Sequence, residues 1–435
     1  MSYYRIIGGK PLKGSISPIP NKNSILKLIP AALLTEEIVT IHNVPKSTDV
    51  RLMLNIVKQL GGKVSYANGG ETIKISAKEL NTYEIDPELS QKVKASVMFM
   101  APLLHRFKKA SMPIPGGCKL GTRPLDAFID NMVQMGAKYQ REKGYFLEAE
   151  NLKPGKVWSW FPSVTGTENL IMLACLIPGK TKIYNAAGEP HTQDLCNMLN
   201  SMGAKIENIG SNNLIIHGVE KLHGTEWSVI PDHLDVAAYI AATAMTGGSI
   251  TIKNAVPEHM SILLQVFEKM GIKVKISEND ITVSENQKLQ CQLTVRGDIL
   301  DIKAFNWPLL PPDFIHIAIV CALKAKGSII FQNTFYEYGF FFIEELAKMK
   351  AKVIMADPFR VITFGPTNFK GAKVFAPNII QATMALFLAA LSAEGETILE
   401  DRDDSLLRRY PDLVEKYKSL GAQVSRIGKK SGFLN

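Results

Sequence analysis

Six stretches of this 435-residue chain end in nearly the same way, and that recurrence limits the fold more than any other feature. They read "NIVKQLGGKV" from 55, "DNMVQMGAKY" from 130, "CNMLNSMGAKI" from 196, "QVFEKMGIKV" from 265, "EELAKMKAKV" from 344 and "EKYKSLGAQV" from 415. Measured at the Leu or Met of the signature, successive copies lie 67 to 79 residues apart, so one structural unit is repeated six times. The glycine that usually follows suits the left-handed cap of a helix.

The surroundings of each signature follow one order. An apolar helix such as "PAALLTEE", "VMFMAPLLHRF" or "VAAYIAATAMTGG" leads into a β-branched strand such as "EIVTIHNV", "GKTKIYNAA" or "GSITIKNAV". The amphipathic signature helix comes next, followed by two short strands, as in "KIENIGSNNLIIHGV", where Ser-Asn-Asn supplies the turn. The predicted unit is βαβαββ. Six such units exceed one core, and three per lobe is the simplest division. The first lobe is expected over 21–230 and the second over 1–20 plus 231–435, with the leading "YRIIGGKPLKGSISPIP" closing the sheet of the sixth unit. A ligand site belongs between the lobes.

Charge and residue usage narrow the function. The net charge of +9 comes from lysines and arginines spread along the chain, without an aromatic-basic platform or helix-turn-helix. That argues against nucleic acid and for an acidic small molecule. Eight histidines, none in HxH or HxxxH spacing, argue against a metal centre, and nothing calls for a cofactor. No apolar run reaches the roughly 18–20 residues of a membrane span, and the start "MSYYRIIGGKPLKG" lacks a secretory signal, so a cytoplasmic protein with reduced thiols is expected. Four of the five cysteines (175, 196, 291, 321) have apolar or mixed neighbours, whereas Cys118 sits among glycines and a lysine in "PGGCKLG". Composition leaves open whether that thiol packs or reacts.

Longer motifs bear on the choice. "NKNSILKLIPAALLTEE", "PIPGGCKLGTRPLD", "PSVTGTENLIM", "NAAGEPHTQD", "PDHLD" and "RRYPDLVEKYKSLGA", spread over the whole chain, resemble the enolpyruvyl transferases. More narrowly they resemble the UDP-N-acetylglucosamine 1-carboxyvinyltransferase (MurA) family. The resemblance implies an EPSP synthase-like fold, a two-lobed inverted (inside-out) α/β barrel. It implies transfer of the carboxyvinyl group of phosphoenolpyruvate to the sugar 3-hydroxyl of UDP-N-acetylglucosamine, with phosphate released, as the first committed step of peptidoglycan synthesis. Two other readings stay open: a same-fold transferase acting on another nucleotide or sugar, and a weakly catalytic, ligand-binding or regulatory paralogue.

That chemistry needs a proton donor to carbon, a base at the hydroxyl, and cations for a phosphate and a carboxylate. By resemblance Cys118, on the loop near 113–123, is the acid, and glycines 116, 117 and 121 give that loop freedom to act as a lid. Lys22 and Asn23 contact phosphoenolpyruvate and sugar, Arg123 both substrates, Arg408 the carboxylate, and Asp313 is the base. Pro124, Leu125, Asp126, Ser163 and Val164 match the uridine-binding segments, and Glu189 a pocket acid. "NKNS" and the aspartate of "PPDF" would equally serve as ordinary helix caps.

The departures are as specific as the matches. Lys94 stands where the family carries an arginine, keeping the charge but losing the bidentate fork. Two further arginines are replaced, one by Gly339 and one by Ile380 or Gln381, while Phe128 and Phe161 occupy uridine-site positions. Lys94, Arg402 and Arg409 are the cations available to compensate.

Overall fold

The computed structural model describes residues 2–114, 125–141, 144–336 and 338–428. Its strands form six small sheets, one for each unit. The fifth unit has the plain form. Strand Leu300–Lys303 runs parallel to Gly327–Gln332, which pairs antiparallel with Arg360–Gly365, and that strand pairs with Val353–Asp357. Helices Ile315–Lys324 and Ile343–Lys348 fill the gaps in sequence, giving βαβαββ. The third unit repeats this with Lys156–Trp158, Gly179–Tyr184, Asn213–Gly218 and Lys205–Glu207. The second keeps three strands and reduces the fourth to a parallel bridge between Glu84 and Ser111.

The first and fourth units exchange their opening strands. Lys13–Ile16, which precedes the first unit, pairs parallel with Ser249–Ile252 of the fourth. Glu226–Ser228, which precedes the fourth, pairs parallel with Val39–His42 of the first. Ser2–Ile7 lies antiparallel between Glu396–Asp401 and Gln423–Ile427 of the sixth. The leading segment therefore serves two sheets, where sequence reasoning gave it only the sixth.

Packing puts the helices inside. Lys22–Ala31, Val164–Ala174, His233–Thr246, Ile315–Lys324 and Ile380–Leu391 are buried on nearly every side, as is most of Met100–Phe107. A helix apolar all round cannot face water. The strands, such as Asn213–Gly218 and Glu396–Asp401, alternate buried with more exposed positions and take the outer layer. The result is the inside-out α/β barrel expected from the sequence. Two hydrophobic cores result, one drawn from residues 25–229 and the other from residues 4–19 and 234–424. Two connections pass between them side by side, with Pro20 bridged to Pro231, Asn21 N–H donating to the Ile230 carbonyl at 2.7 Å and Asp232 N–H to that of Ile19 at 2.8 Å. Among the described residues no helix is long and apolar enough to cross a membrane.

The signature residue is left-handed at every helix end, with φ of 93° at Gly61, 98° at Gly136, 101° at Gly203, 81° at Gly271 and 93° at Gly421. The fifth copy places Lys350 there at φ 68°, where a side chain is disfavoured. Lys350 is exposed and its replacement disturbs no packing. Lys350→Gly should therefore stabilise the protein by about 0.5–1 kcal/mol, the relief of left-handed strain less the extra chain entropy of glycine. Chemical denaturation of both proteins checks this, and a loss of stability would contradict it.

Candidate active site

Several of the sequence-derived positions lie at helix N-termini. Lys22 is the first residue of Lys22–Ala31, capped by Asn21, whose side chain accepts from Ser24 N–H. Ser163 caps Val164–Ala174 through Gly166 N–H at 3.1 Å, Val164 opens that helix, and Glu189 is the N-cap residue of Pro190–Ser201. Asp126 opens Asp126–Gln134, Asp313 lies in the turn Pro312–Phe314 that leads into Ile315–Lys324, and Gln381 is in the first turn of Ile380–Leu391. Helix N-termini carry partial positive charge and unpaired N–H groups, a setting suited to anions.

Across the boundary between the two cores, three cationic and two acidic groups meet. Lys22 Nζ lies 2.5 Å from Asp49 Oδ2, with both side chains almost wholly buried. Arg408 reaches the same carboxylate from the other core, its Nη2 3.2 Å from Oδ2 and its Nε 3.4 Å from Oδ1. The next residue, Arg409, makes a buried two-pronged pair with Asp232 at 2.7 and 2.8 Å. Burial is the largest influence on Asp49 and pushes its carboxyl up, but Lys22 and Arg408 together outweigh it and hold it below the usual range. Burial draws the Lys22 ammonium down, and Arg408 and Arg409 add to that against the opposing pull of Asp49.

Glu189 spans the same boundary. Its Oε1 accepts from Trp307 N–H at 3.3 Å, while Oε2 is buried and has no hydrogen-bond partner among the described residues. Burial, with repulsion from Glu168, raises it to about 7. The neighbouring Asn306 side chain donates to the Pro162 carbonyl, and the Phe161 ring packs 5.5 Å from that of Phe335, which meets Phe305 at 5.4 Å. Because Glu189 ionises near 4.5 when unfolded and near 7 when folded, the native state holds its proton more tightly. Its stabilising contribution is complete below about pH 4.5 and is lost as pH rises through about 7. Glu189→Gln should therefore gain stability relative to the parent at pH 8 and not at pH 4.5. Denaturation of both proteins at the two values measures it, and a difference independent of pH would contradict it.

The sequence-derived positions divide into groups. Lys22, Asp313, Arg408, Asn23, Lys94, Leu125, Asp126, Ser163, Val164 and Glu189 fall in the described structure; Cys118, Arg123 and Pro124 lie outside the described residues. Lys22 and Arg408 meet on one carboxylate, and Lys94 opens the short helix Lys94–Phe99. Asn23 is half-buried one residue after Lys22, Leu125 is buried, and Asp126 is exposed.

Phe128 is 2 % exposed and packs in the first core, since it lies on the inner face of its helix with Ile129 and Met132. Phe161, by contrast, is 40 % exposed and packs against Phe335. Of the candidate compensating cations, Arg409 is committed to Asp232, and Arg402 to Glu400 at 2.7 Å. Gln381, whose Nε2 has no hydrogen-bond partner among the described residues, is 95 % buried and faces Tyr410. Asp49 was missed from sequence because an aspartate two residues after Ser47 in "KSTDV" reads as a normal first-turn helix acid.

This architecture, with helix N-termini meeting between two cores, is that of the EPSP synthase-like fold. The sequence matches the family described as EPSP synthase (3-phosphoshikimate 1-carboxyvinyltransferase) over residues 6–417. Among solved structures it is similar to the enolpyruvyl transferase NikO from Streptomyces tendae, with TM-score 0.86, 21% identity and 98% of each chain covered. It is similar also to EPSP synthase from Acinetobacter baumannii, with TM-score 0.75, 15% identity, and 98% of this chain and 100% of that one covered. Those likenesses concern the fold.

The chain belongs to the UDP-N-acetylglucosamine 1-carboxyvinyltransferase family. It is 37% identical to the protein of that name from Borreliella burgdorferi, over 98% of this chain and 99% of the relative. The Bradyrhizobium diazoefficiens protein is 36% identical over 98% of both, and that of Treponema denticola 37% over 98% and 99%.

Proposed function

We propose that this protein transfers the carboxyvinyl group of phosphoenolpyruvate to the 3-hydroxyl of the sugar of UDP-N-acetylglucosamine, releasing phosphate, at the start of peptidoglycan synthesis in the cytoplasm. The observation that carries the reading is identity of 36–37% along essentially the full length of relatives bearing that name. The charge arrangement supports it, because Lys22 and Arg408 converge from the two cores where an anionic substrate needs cations.

The reaction proceeds by addition and elimination. The sugar oxygen bonds to C2 of phosphoenolpyruvate as C3 gains a proton and the hydroxyl loses its own. Loss of a C3 proton and cleavage of the C2–O bond to phosphate then restore the double bond. In this reading Lys22 and Arg408 neutralise phosphoenolpyruvate, Asp313 accepts the hydroxyl proton, and Cys118 supplies the proton to C3. Asn23, Lys94, Arg123, Pro124, Leu125, Asp126, Ser163, Val164 and Glu189 line the substrates. The two cores are the two lobes, 21–230 and 1–20 with 231–435, and they close on them. Purified protein should release phosphate only when both substrates are present. Binding of both without turnover would falsify the assignment.

The Phe161–Phe335 contact favours a second reading, in which the same chemistry serves another nucleotide sugar. A thermal-shift series over nucleotide sugars separates the two, since stabilisation greatest with UDP-N-acetylglucosamine rejects the second.

A further inference from the structure

Asp49 belongs to none of the motifs that pointed to the site, yet it contacts both Lys22 and Arg408. It lies in the first turn of Thr48–Gln59, behind the Ser47 cap, and is 4 % exposed. Lys22 opens the neighbouring helix Lys22–Ala31, and Arg408 ends the short turn Leu406–Arg408 of the other core, 359 residues away in sequence. One carboxylate thus fastens a cation from each core, at 2.5 Å and 3.2 Å. A first-turn aspartate needed only by its helix would gain enough from the N–H groups and the dipole at that end, at the surface. Burying it between two cations commits all three to one geometry.

We propose that Asp49 is a positioning residue of the transfer reaction, a built-in anion that holds Lys22 and Arg408 in register and cedes part of their charge when the substrate's anion arrives. The inference rests on the reading that Lys22 and Arg408 receive phosphoenolpyruvate. Its logic is that of a competitor occupying the place of the ligand. The carboxylate keeps two flexible cations ordered before binding, so less order has to be imposed at that step. It also screens their charge, so that phosphate, the leaving group, is held less tightly than it would be beside unshielded cations.

These two roles oppose each other in binding and agree in catalysis, which makes them separable. Asp49→Asn keeps shape and hydrogen-bonding capacity while removing one negative charge beside the cations. It should bind inorganic phosphate about tenfold more tightly than the parent, the direction that Coulomb's law gives for a lost like charge. Turnover should fall about a hundredfold, because Lys22 and Arg408 lose their register and phosphate leaves slowly. Asp49→Glu should recover part of the turnover, and its phosphate affinity should stay near that of the parent.

The measurements are calorimetric titration with inorganic phosphate and steady-state phosphate release from the two substrates. A merely structural aspartate predicts weaker phosphate binding and lower thermal stability together, without rescue by Glu. Phosphate affinity unchanged or weakened in Asp49→Asn overturns the proposal whatever the activity. If the Asn variant does not fold, Asp49→Ser, a small polar residue tolerated in a first turn, is read by the same criteria. The titration needs no second substrate. A parent enzyme that never releases phosphate, alongside an Asn variant that binds phosphate more tightly, would reject the assigned reaction and leave the role of Asp49 in anion binding standing.

Discussion

Lys22→Met should lower kcat/KM for phosphoenolpyruvate by about a thousandfold. The ammonium is 2.5 Å from Asp49, its side chain is 6% exposed, and no water shell can take over its charge. Removing one partner of a buried ion pair costs about 3–5 kcal/mol, because the remaining charge is left uncompensated. Here Arg408 still holds Asp49, so the loss in folding is smaller and falls more on the bound anion. At about 1.4 kcal/mol per factor of ten, a deficit of about 4 kcal/mol in the transition state gives the stated effect. Lys22→Arg should recover only part of it, because a planar fork cannot place its charge where a compact ammonium does. Steady-state kinetics at saturating UDP-N-acetylglucosamine would show it, and a fall of less than tenfold would remove Lys22 from the anion site.

The second large effect is on stability. Asp232→Ala should destabilise the protein by about 4–5 kcal/mol, because Asp232 is both the cap of His233–Thr246, accepting from Leu234 N–H at 3.0 Å, and the partner of Arg409. Arg409 is 3 % exposed, so its guanidinium would be left charged and unpaired in the interior. For a unit of about 200 residues that corresponds to a fall in Tm of about 10 °C. Asp232→Asn, which keeps the cap and loses the charge, should lie between the two. A fall below about 2 °C in Asp232→Ala, read by calorimetry, would show that Arg409 finds another partner.

Much of the architecture could be read from the chain because the constraints were local. The helix-ending signature recurs because each end needs a left-handed residue, which the structure places at Gly61, Gly136, Gly203, Gly271 and Gly421 and, with a side chain, at Lys350. The inner helices were legible because "VAAYIAATAM" and its counterparts carry no polar face. What could not be read depends on partners. A three-residue strand such as Glu226–Ser228 says nothing about which unit it will join, and here it joins the first. Arg408 and Arg409 are adjacent, yet one crosses to Asp49 and the other is buried on Asp232, a division made by the turn they leave. Phe128 and Phe161 are the same residue type, and the inward face of the helix Asp126–Gln134 sends the first to the core while the second stays 40 % exposed.

The strand exchange gives the chain an order of assembly. The segment that supplies the first core can close its sheets once Glu226–Ser228 has left the ribosome, before the residues of the second core from 234 onward are made. Ser2–Ile7 precedes that segment in the chain, yet its two neighbours, Glu396–Asp401 and Gln423–Ile427, come long after it. Until those strands are made, Ser2–Ile7 has both edges open, a state prone to pairing with other chains. Ser2–Ile7 is made well before the strands that house it, so growth temperature and chaperone supply should affect the yield of soluble protein through this strand.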